Sequence, residues 1–132
     1  MNTRHSLIGL LFVAFVFGAG CTRQVSFVQD VSPILNAKCL SCHDTTGEGS
    51  TKSGFSVMTY DKLMAGTKLG KVIDPGNAVS STLYLVIAHK TSPEIQMPPH
   101  HLESLAKGKS VPLTQGEIDT IKLWIDQGAK NN

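Results

Sequence analysis

Cys39-Leu40-Ser41-Cys42-His43 is the stretch on which the reading of this chain turns. Two thiols three positions apart can each add across one vinyl group of a haem, and the imidazole directly after the second is then placed to coordinate the iron from the proximal side. Attachment and ligation come from a single pentapeptide, which predicts one covalent haem c held by Cys39, Cys42 and His43. A redox-active Cys pair of the thioredoxin kind sits at a helix N-terminus after a strand, and no strand is predicted ahead of Cys39. A structural zinc site needs a second ligand pair. The only other cysteine is Cys21, and His100 and His101, being adjacent, are poorly placed to reach one metal together.

The chain opens with a polar, basic stretch at 1–6, an apolar run at 7–17 (LIGLLFVAFVF) and Gly18-Ala19-Gly20 ahead of Cys21. That order describes a signal peptide whose apolar run is too short to span a bilayer as a permanent helix. Small residues ending at Cys resemble the bacterial lipobox, with Gly18 where that pattern prefers Leu. Residues 1–20 are therefore expected as a lipoprotein-type signal peptide, Cys21 as the lipidated first residue and 21–26 as a tether, with plain secretory cleavage and a spare Cys21 as the alternative. The haem then lies on the periplasmic side of a bacterial membrane. Residues 27–132 read as one small domain, in which a flat apolar cofactor supplies hydrophobic area that 6% aromatics otherwise lack. With Cys39 and Cys42 committed to haem, no intramolecular disulfide remains. Setting Arg4 aside leaves eleven Lys and Arg against ten Asp and Glu. That balance argues against a nucleic-acid partner, and the loose group of Lys62, Lys68 and Lys71 reads as solvated surface.

Val31, Ile34, Leu35 and Cys39 recur at helical spacing, with Asp30 or Ser32 as N-cap and Pro33 in the first turn, so a helix should run into the haem motif. Residues 44–54, rich in Gly, Ser and Thr, read as a loop. A brief helix is expected over 60–65, closed by Gly66. Asp74-Pro75-Gly76-Asn77 is a turn, after which Ser80 or Ser81 caps a helix that buries Leu83, Val86 and Ile87 and ends near His89. Four of the six prolines fall in 90–113, a stretch that must be an ordered loop if it has a function. Thr114-Gln115-Gly116-Glu117 is a capping box, Ile118, Ile121, Trp124 and Ile125 make one apolar face, and Gly128 ends the helix. Each terminal helix has one face to bury, so the two should pack together, with Trp124 against the 27–35 helix.

A haem iron bound by His43 has one axial position left, whose occupant decides between electron transfer and small-ligand chemistry. The candidates are Met58, Met64, Met97, His89, His100 and His101. Met58 and Met64, beside Phe55, Val57 and Leu63, read as core packing, and His89 as a solvated helix-end residue. Met97 precedes Pro98 and Pro99, each of which fixes φ and lacks an amide donor. Its thioether therefore sits on a stiff segment that loses little entropy in holding a weak ligand. Met97 is the expected distal ligand, ahead of His100 or His101 and then an open site.

These residues resemble class I c-type cytochromes and, within them, planctomycete-type cytochrome c domains, over about 27–129. The resemblance is carried by Phe27-Val28-Gln29-Asp30-Val31-Ser32-Pro33-Ile34-Leu35 ahead of the haem motif, by Asp74-Pro75-Gly76-Asn77 with Ser81-Thr82-Leu83-Tyr84, by Met97-Pro98-Pro99, and by Leu113-Thr114 through Glu117-Ile118 to Trp124-Ile125-Asp126-Gln127-Gly128-Ala129. It implies an all-α fold with N- and C-terminal helices packed together around covalent haem, His43 proximal, Met97 distal, and electron transfer. The expected protein is an exported monohaem cytochrome, anchored to a membrane by lipid at Cys21, that carries single electrons between membrane-associated or periplasmic redox proteins. No residue needs to act as acid, base or nucleophile. The alternative is a haem enzyme or gas sensor whose sixth iron position is open or labile.

Overall fold

The computed structural model describes residues 23–99 and 111–132. The expected signal peptide, Cys21, His100 and His101 lie outside the described residues. The first helical segment forms because its free amides find acceptors. Ser26 Oγ accepts from Gln29 N–H at 3.2 Å, and Asp30 accepts from Ser26 N–H at 2.8 Å. Ser26 is thus the N-cap, in place of the expected Asp30 or Ser32. That backbone bond, with the Arg23 guanidinium 3.1 Å away, holds the Asp30 carboxyl below its ordinary range. A π-type turn, Phe27–Val31, passes into α1, Ser32–Lys38, with Pro33 in its first turn. After Cys39 comes α2, Leu40–His43, so the helix does run into the haem motif.

Between the two ends, 44–54 is more ordered than its composition suggests, for it contains α3, Glu48–Ser53. Asp44 accepts from the amides of Thr46 and Gly47, which turns the chain into the helix. Glu48 pairs with Lys52 at 2.6 Å, and Gly54, at φ +79°, ends the helix in the left-handed region. Lys68 Nζ donates to the carbonyls of Thr51 and Lys52 at 2.9 and 3.2 Å, receiving the last turn. Ser and Thr hydroxyls that bond back to helix carbonyls, as Thr51 and Ser53 do here, weaken helical preference, so tertiary contacts sustain α3. The next helix, α4, Tyr60–Ala65, is capped by Thr59 and closed by Gly66 as expected. Met64 packs on the core, but Met58, also expected there, is 48% exposed because Val57 takes the inward position.

Ser81 stands at the N-cap of α5, Thr82–Ile87, yet its hydroxyl does not cap the helix. It accepts from Asp74 N–H at 2.8 Å and lies 2.9 Å from the Asn77 carbonyl, closing the preceding turn. Leu83 and Ile87 are buried as expected, whereas Val86 is half-buried. The last helix, α6, Gln115–Asp126, begins with the expected capping box: Thr114 N–H donates to Glu117 at 2.7 Å and Glu117 N–H returns to Thr114 Oγ1 at 3.3 Å. Gly128, at φ +98°, lies just past its end.

The ends of the chain meet as predicted. Trp124 lies 5.6 Å from the Phe27 ring and 6.5 Å from Tyr60, and Phe27 meets Tyr60 edge-on at 5.2 Å. Such ring pairs contribute about 0.5–1.5 kcal/mol each beyond their buried area. Tyr60 and Trp124 also donate to the carbonyls of Ala129 and Lys130, folding the last residues back. Residues 23–26, read from the sequence as tether, are seated here: Val25 is buried, its N–H donates to Gln127 Oε1 at 2.7 Å, and Gln127 Nε2 donates to the Arg23 carbonyl. Among the described residues there is no strand, only a bridge between Thr67 and Gly70. The all-α architecture with packed terminal helices is what the chain adopts.

Candidate functional site

A cavity of about 680 Å³ opens beside α2, α3 and α5, within the roughly 300–1,000 Å³ typical of cofactor and small-molecule pockets. Cys39, Cys42, His43 and Met97 all line it, together with an apolar wall that includes Phe55, Val72, Leu83, Val86, Ile87 and Leu113. Val86 is only half-buried because its side chain belongs to this wall. Residues some fifty positions apart in sequence are thus brought to one hollow, and every predicted site residue that the structure describes is among them.

Helix geometry places the motif. The amides of Cys42 and His43 both donate to the Cys39 carbonyl, and Cys39 N–H donates to Leu35, so α1 hands its direction to α2. Both thiols are free and half-buried. Burial pushes the Cys39 thiol up to about 11, with Cys42 and Glu117 adding to the rise and Lys38 opposing it. A redox-exchange cysteine needs the opposite, a depressed value that yields thiolate. Lys38 ties the motif to the C-terminal segment, donating to the Pro112 carbonyl at 3.2 Å and pairing with Glu117 at 3.6 Å.

His43 is oriented by backbone. Its Nδ1 lies 3.1 Å from the Phe55 carbonyl. A carbonyl only accepts, so Nδ1 carries the proton and Nε2 keeps its lone pair for a metal. The His43 carbonyl in turn accepts from Val57 N–H at 2.9 Å. The Phe55 ring meets the imidazole edge-on at 5.2 Å. At Gly49 an added Cβ would stand 2.6 Å from His43 Cε1 and 2.8 Å from Nε2, so the absence of a side chain there keeps the ligating edge of the ring clear. Ser50 Oγ lies 2.7 Å from the same Phe55 carbonyl.

Met97 is held by α5. Its N–H donates to the Val86 carbonyl at 3.1 Å. Ahead of it, Pro93–Ile95 forms a 3-10 turn, and Gln96 Nε2 donates to the Thr91 carbonyl at 3.0 Å. His89 follows α5 at φ +54°, turning the chain toward this segment. The Met97–Pro98 bond is cis. The ordered loop expected over 90–113 is ordered across its described part.

These residues fit a haem c: two free thiols, an imidazole with Nε2 available, a thioether and an apolar wall share one hollow of suitable size. Gly49, Ser50 and the Phe55 carbonyl belong to the site and escaped the sequence reading. The one available signal was the pair of glycines, Gly47 and Gly49, shortly after His43.

The family model described as planctomycete cytochrome C matches residues 39–101, which takes in both thiols, His43 and Met97. The chain is 28% identical over 128 residues to hydrazine synthase subunit alpha of Kuenenia stuttgartiensis, covering 82% of this chain and 16% of that protein. It is 35% identical over 96 residues to the fructose dehydrogenase cytochrome subunit of Gluconobacter japonicus, covering 73% of this chain and 18% of that protein. The chain therefore spans less than a fifth of the length of these curated relatives. The solved structure of Kuenenia stuttgartiensis hydrazine synthase shares its fold, at TM-score 0.53 and 23% identity, over 81% of this chain and 16% of that one.

Proposed function

From a chain that belongs to the planctomycete cytochrome c family, we propose a one-electron carrier: a single haem c attached through Cys39 and Cys42, with His43 as proximal and Met97 as distal iron ligand, serving membrane-associated or periplasmic redox proteins. The observation that carries this reading is that these four side chains line one cavity. A haem c bound there supplies a reversible one-electron couple at its iron. The two thiols hold the group, and the Phe55 carbonyl fixes the His43 tautomer that offers Nε2. The Met97 thioether favours reduced iron and raises the potential above that of a bis-histidine site. The apolar part of the wall gives the haem a low-dielectric face, and with the sixth position filled there is no open place for substrate. The likeness to a protein named as the cytochrome subunit of a fructose dehydrogenase supports a partner of the oxidoreductase class.

In this reading residues 1–20 are a signal peptide and Cys21 is lipidated on the periplasmic side of a bacterial membrane. Support comes from the basic start, apolar run, small residues and cysteine in that order. Residues 23–26 are seated against Gln127, past the end of α6, while Leu113 ahead of that helix lines the cavity. Its twelve residues separate the two by about 18 Å.

Absorption spectra of the wild type and Met97→Ala test the axial assignment. The variant should lose the sulfur-to-iron charge-transfer band, fall in potential and bind CO rapidly when reduced. A band retained in Met97→Ala refutes the assignment. Rapid stoichiometric CO binding by the reduced wild type at neutral pH would favour a haem enzyme or gas sensor instead.

A further inference from the structure

The geometry points to Ser50 as a positioning residue that sets the donor strength of His43 through the carbonyl of Phe55. The inference rests on the reading of His43 as the proximal iron ligand. Phe55 O lies 3.1 Å from His43 Nδ1 and 2.7 Å from Ser50 Oγ, so one oxygen faces two donors. Ser50 Oγ is also within hydrogen-bonding reach of the Asp44 carbonyl. A hydroxyl carries one proton, and both neighbours are acceptors, so Ser50 donates to one of them at a time.

The two orientations have different consequences for the imidazole. With the proton on the Asp44 carbonyl, Phe55 O serves His43 alone, and a strong bond from Nδ1–H makes the ring a more basic ligand. With the proton on Phe55 O, the acceptor is divided and the ring is less basic. A less basic imidazole stabilises oxidised iron less, so the hydroxyl raises the potential. The same short helix reaches the opposite edge of the ring, for Gly49 supplies the clearance at Nε2. Neighbouring residues of α3 thus act on both nitrogens, Gly49 by having no side chain and Ser50 by having a short polar one. If Ser50 served only to close the turn at Asp44, its loss would change stability and leave the potential alone.

Haem-loaded full-length wild type, Ser50→Ala and Ser50→Thr are compared by reduction potential, absorption spectrum and isotope-edited infrared of a ¹³C=O label at Phe55. Ser50→Ala should lower the potential while keeping the charge-transfer band, and should move the labelled carbonyl stretch to higher frequency. Ser50→Thr, which restores the hydroxyl, should match the wild type in both. A folded Ser50→Ala with unchanged or raised potential overturns the proposal. So does a wild-type label that already absorbs as a carbonyl with a single donor, and this decides the matter even where Ser50→Ala does not fold. Failure of the underlying reading looks different: a low-spin spectrum surviving in His43→Ala would remove His43 as ligand whatever Ser50 does.

Discussion

Gly49→Ala asks whether the missing side chain in α3 is a clearance requirement of His43. The added Cβ would stand 2.6 Å from His43 Cε1, 2.8 Å from Nε2 and 2.9 Å from the Cys42 carbonyl oxygen. Carbon contacts settle near 3.5–4.0 Å, so α3 and the ring must part by roughly 1 Å. The Cys42 oxygen belongs to backbone and yields little, which puts the displacement on the imidazole. Overpacking of this kind costs about 1–3 kcal/mol, while replacing a helical glycine by alanine returns about 0.8–1.0 kcal/mol. A net loss near 1 kcal/mol lowers the melting temperature by roughly 4–8 °C in a domain of this size. Functional constellations tolerate about 0.5 Å, so the haem-loaded variant should also show weakened His43 ligation as a high-spin fraction. Gly116→Ala is the matched control: it lies in α6 with nothing within 4 Å of its Cβ position, and should melt above the wild type. Thermal unfolding and absorption spectra of the three haem-loaded proteins read both effects. A Gly49→Ala protein stabilised like Gly116→Ala, with the wild-type spectrum, would refute the clearance argument.

Two further outcomes follow from the packing and the charges. Trp124 is 1% exposed between Phe27 and Tyr60, so Trp124→Ala should cost about 3–5 kcal/mol in urea unfolding; a cost below 1 kcal/mol would show that the terminal helices do not depend on it. The Glu117 carboxyl is held below its ordinary 4.5, first by the backbone bond from Thr114 and further by Lys38. A depressed carboxylate stabilises the fold above its unfolded value and loses that contribution as pH falls through the folded one. The stability gap between wild type and Glu117→Gln should therefore be constant at neutral pH and close below pH 4.5; a gap undiminished in acid would count against the charged capping box.

Periodicity and capping chemistry made the ends of this chain legible. Thr114 and Glu117 announce α6, its apolar face announces Trp124, and the need to bury that face announces Phe27. The candidate cofactor residues stood out because covalent haem chemistry imposes a fixed spacing, which Cys39, Cys42 and His43 have, and because two prolines follow Met97; the structure brings all four to one cavity. What escaped was α3. Its residues, Glu48 to Ser53, carry no apolar stripe, and what sustains them is the Asp44 turn on one side and the Lys68 ammonium on the other. Neither partner leaves a periodic trace in sequence. Ser81 shows the same limit at one residue: a hydroxyl in the N-cap place was captured by the turn before it, accepting from the Asp74 amide seven residues back instead of from the first turn of its own helix.

His43 and Met97 share a further property: each is held by main chain. His43 is turned by the Phe55 carbonyl and Met97 is anchored by its own amide on the Val86 carbonyl. A carbonyl acceptor is supplied by any residue type, so this anchoring by itself asks nothing of the side chains at 55 and 86, whose identities matter instead to the wall of the cavity. In the proposed site the geometric duties fall on the thiols, the imidazole, the thioether and the bare position at Gly49. Ser50 is the exception, a side chain that competes with His43 for a backbone acceptor. On the proposed assignment of His43, changing it alters the electronic character of the ligand while leaving the ligand in place. A hydroxyl at position 50 is therefore where this fold can shift its potential without rebuilding the site, whereas a change at Gly49, with no side chain to trade, can only disturb it.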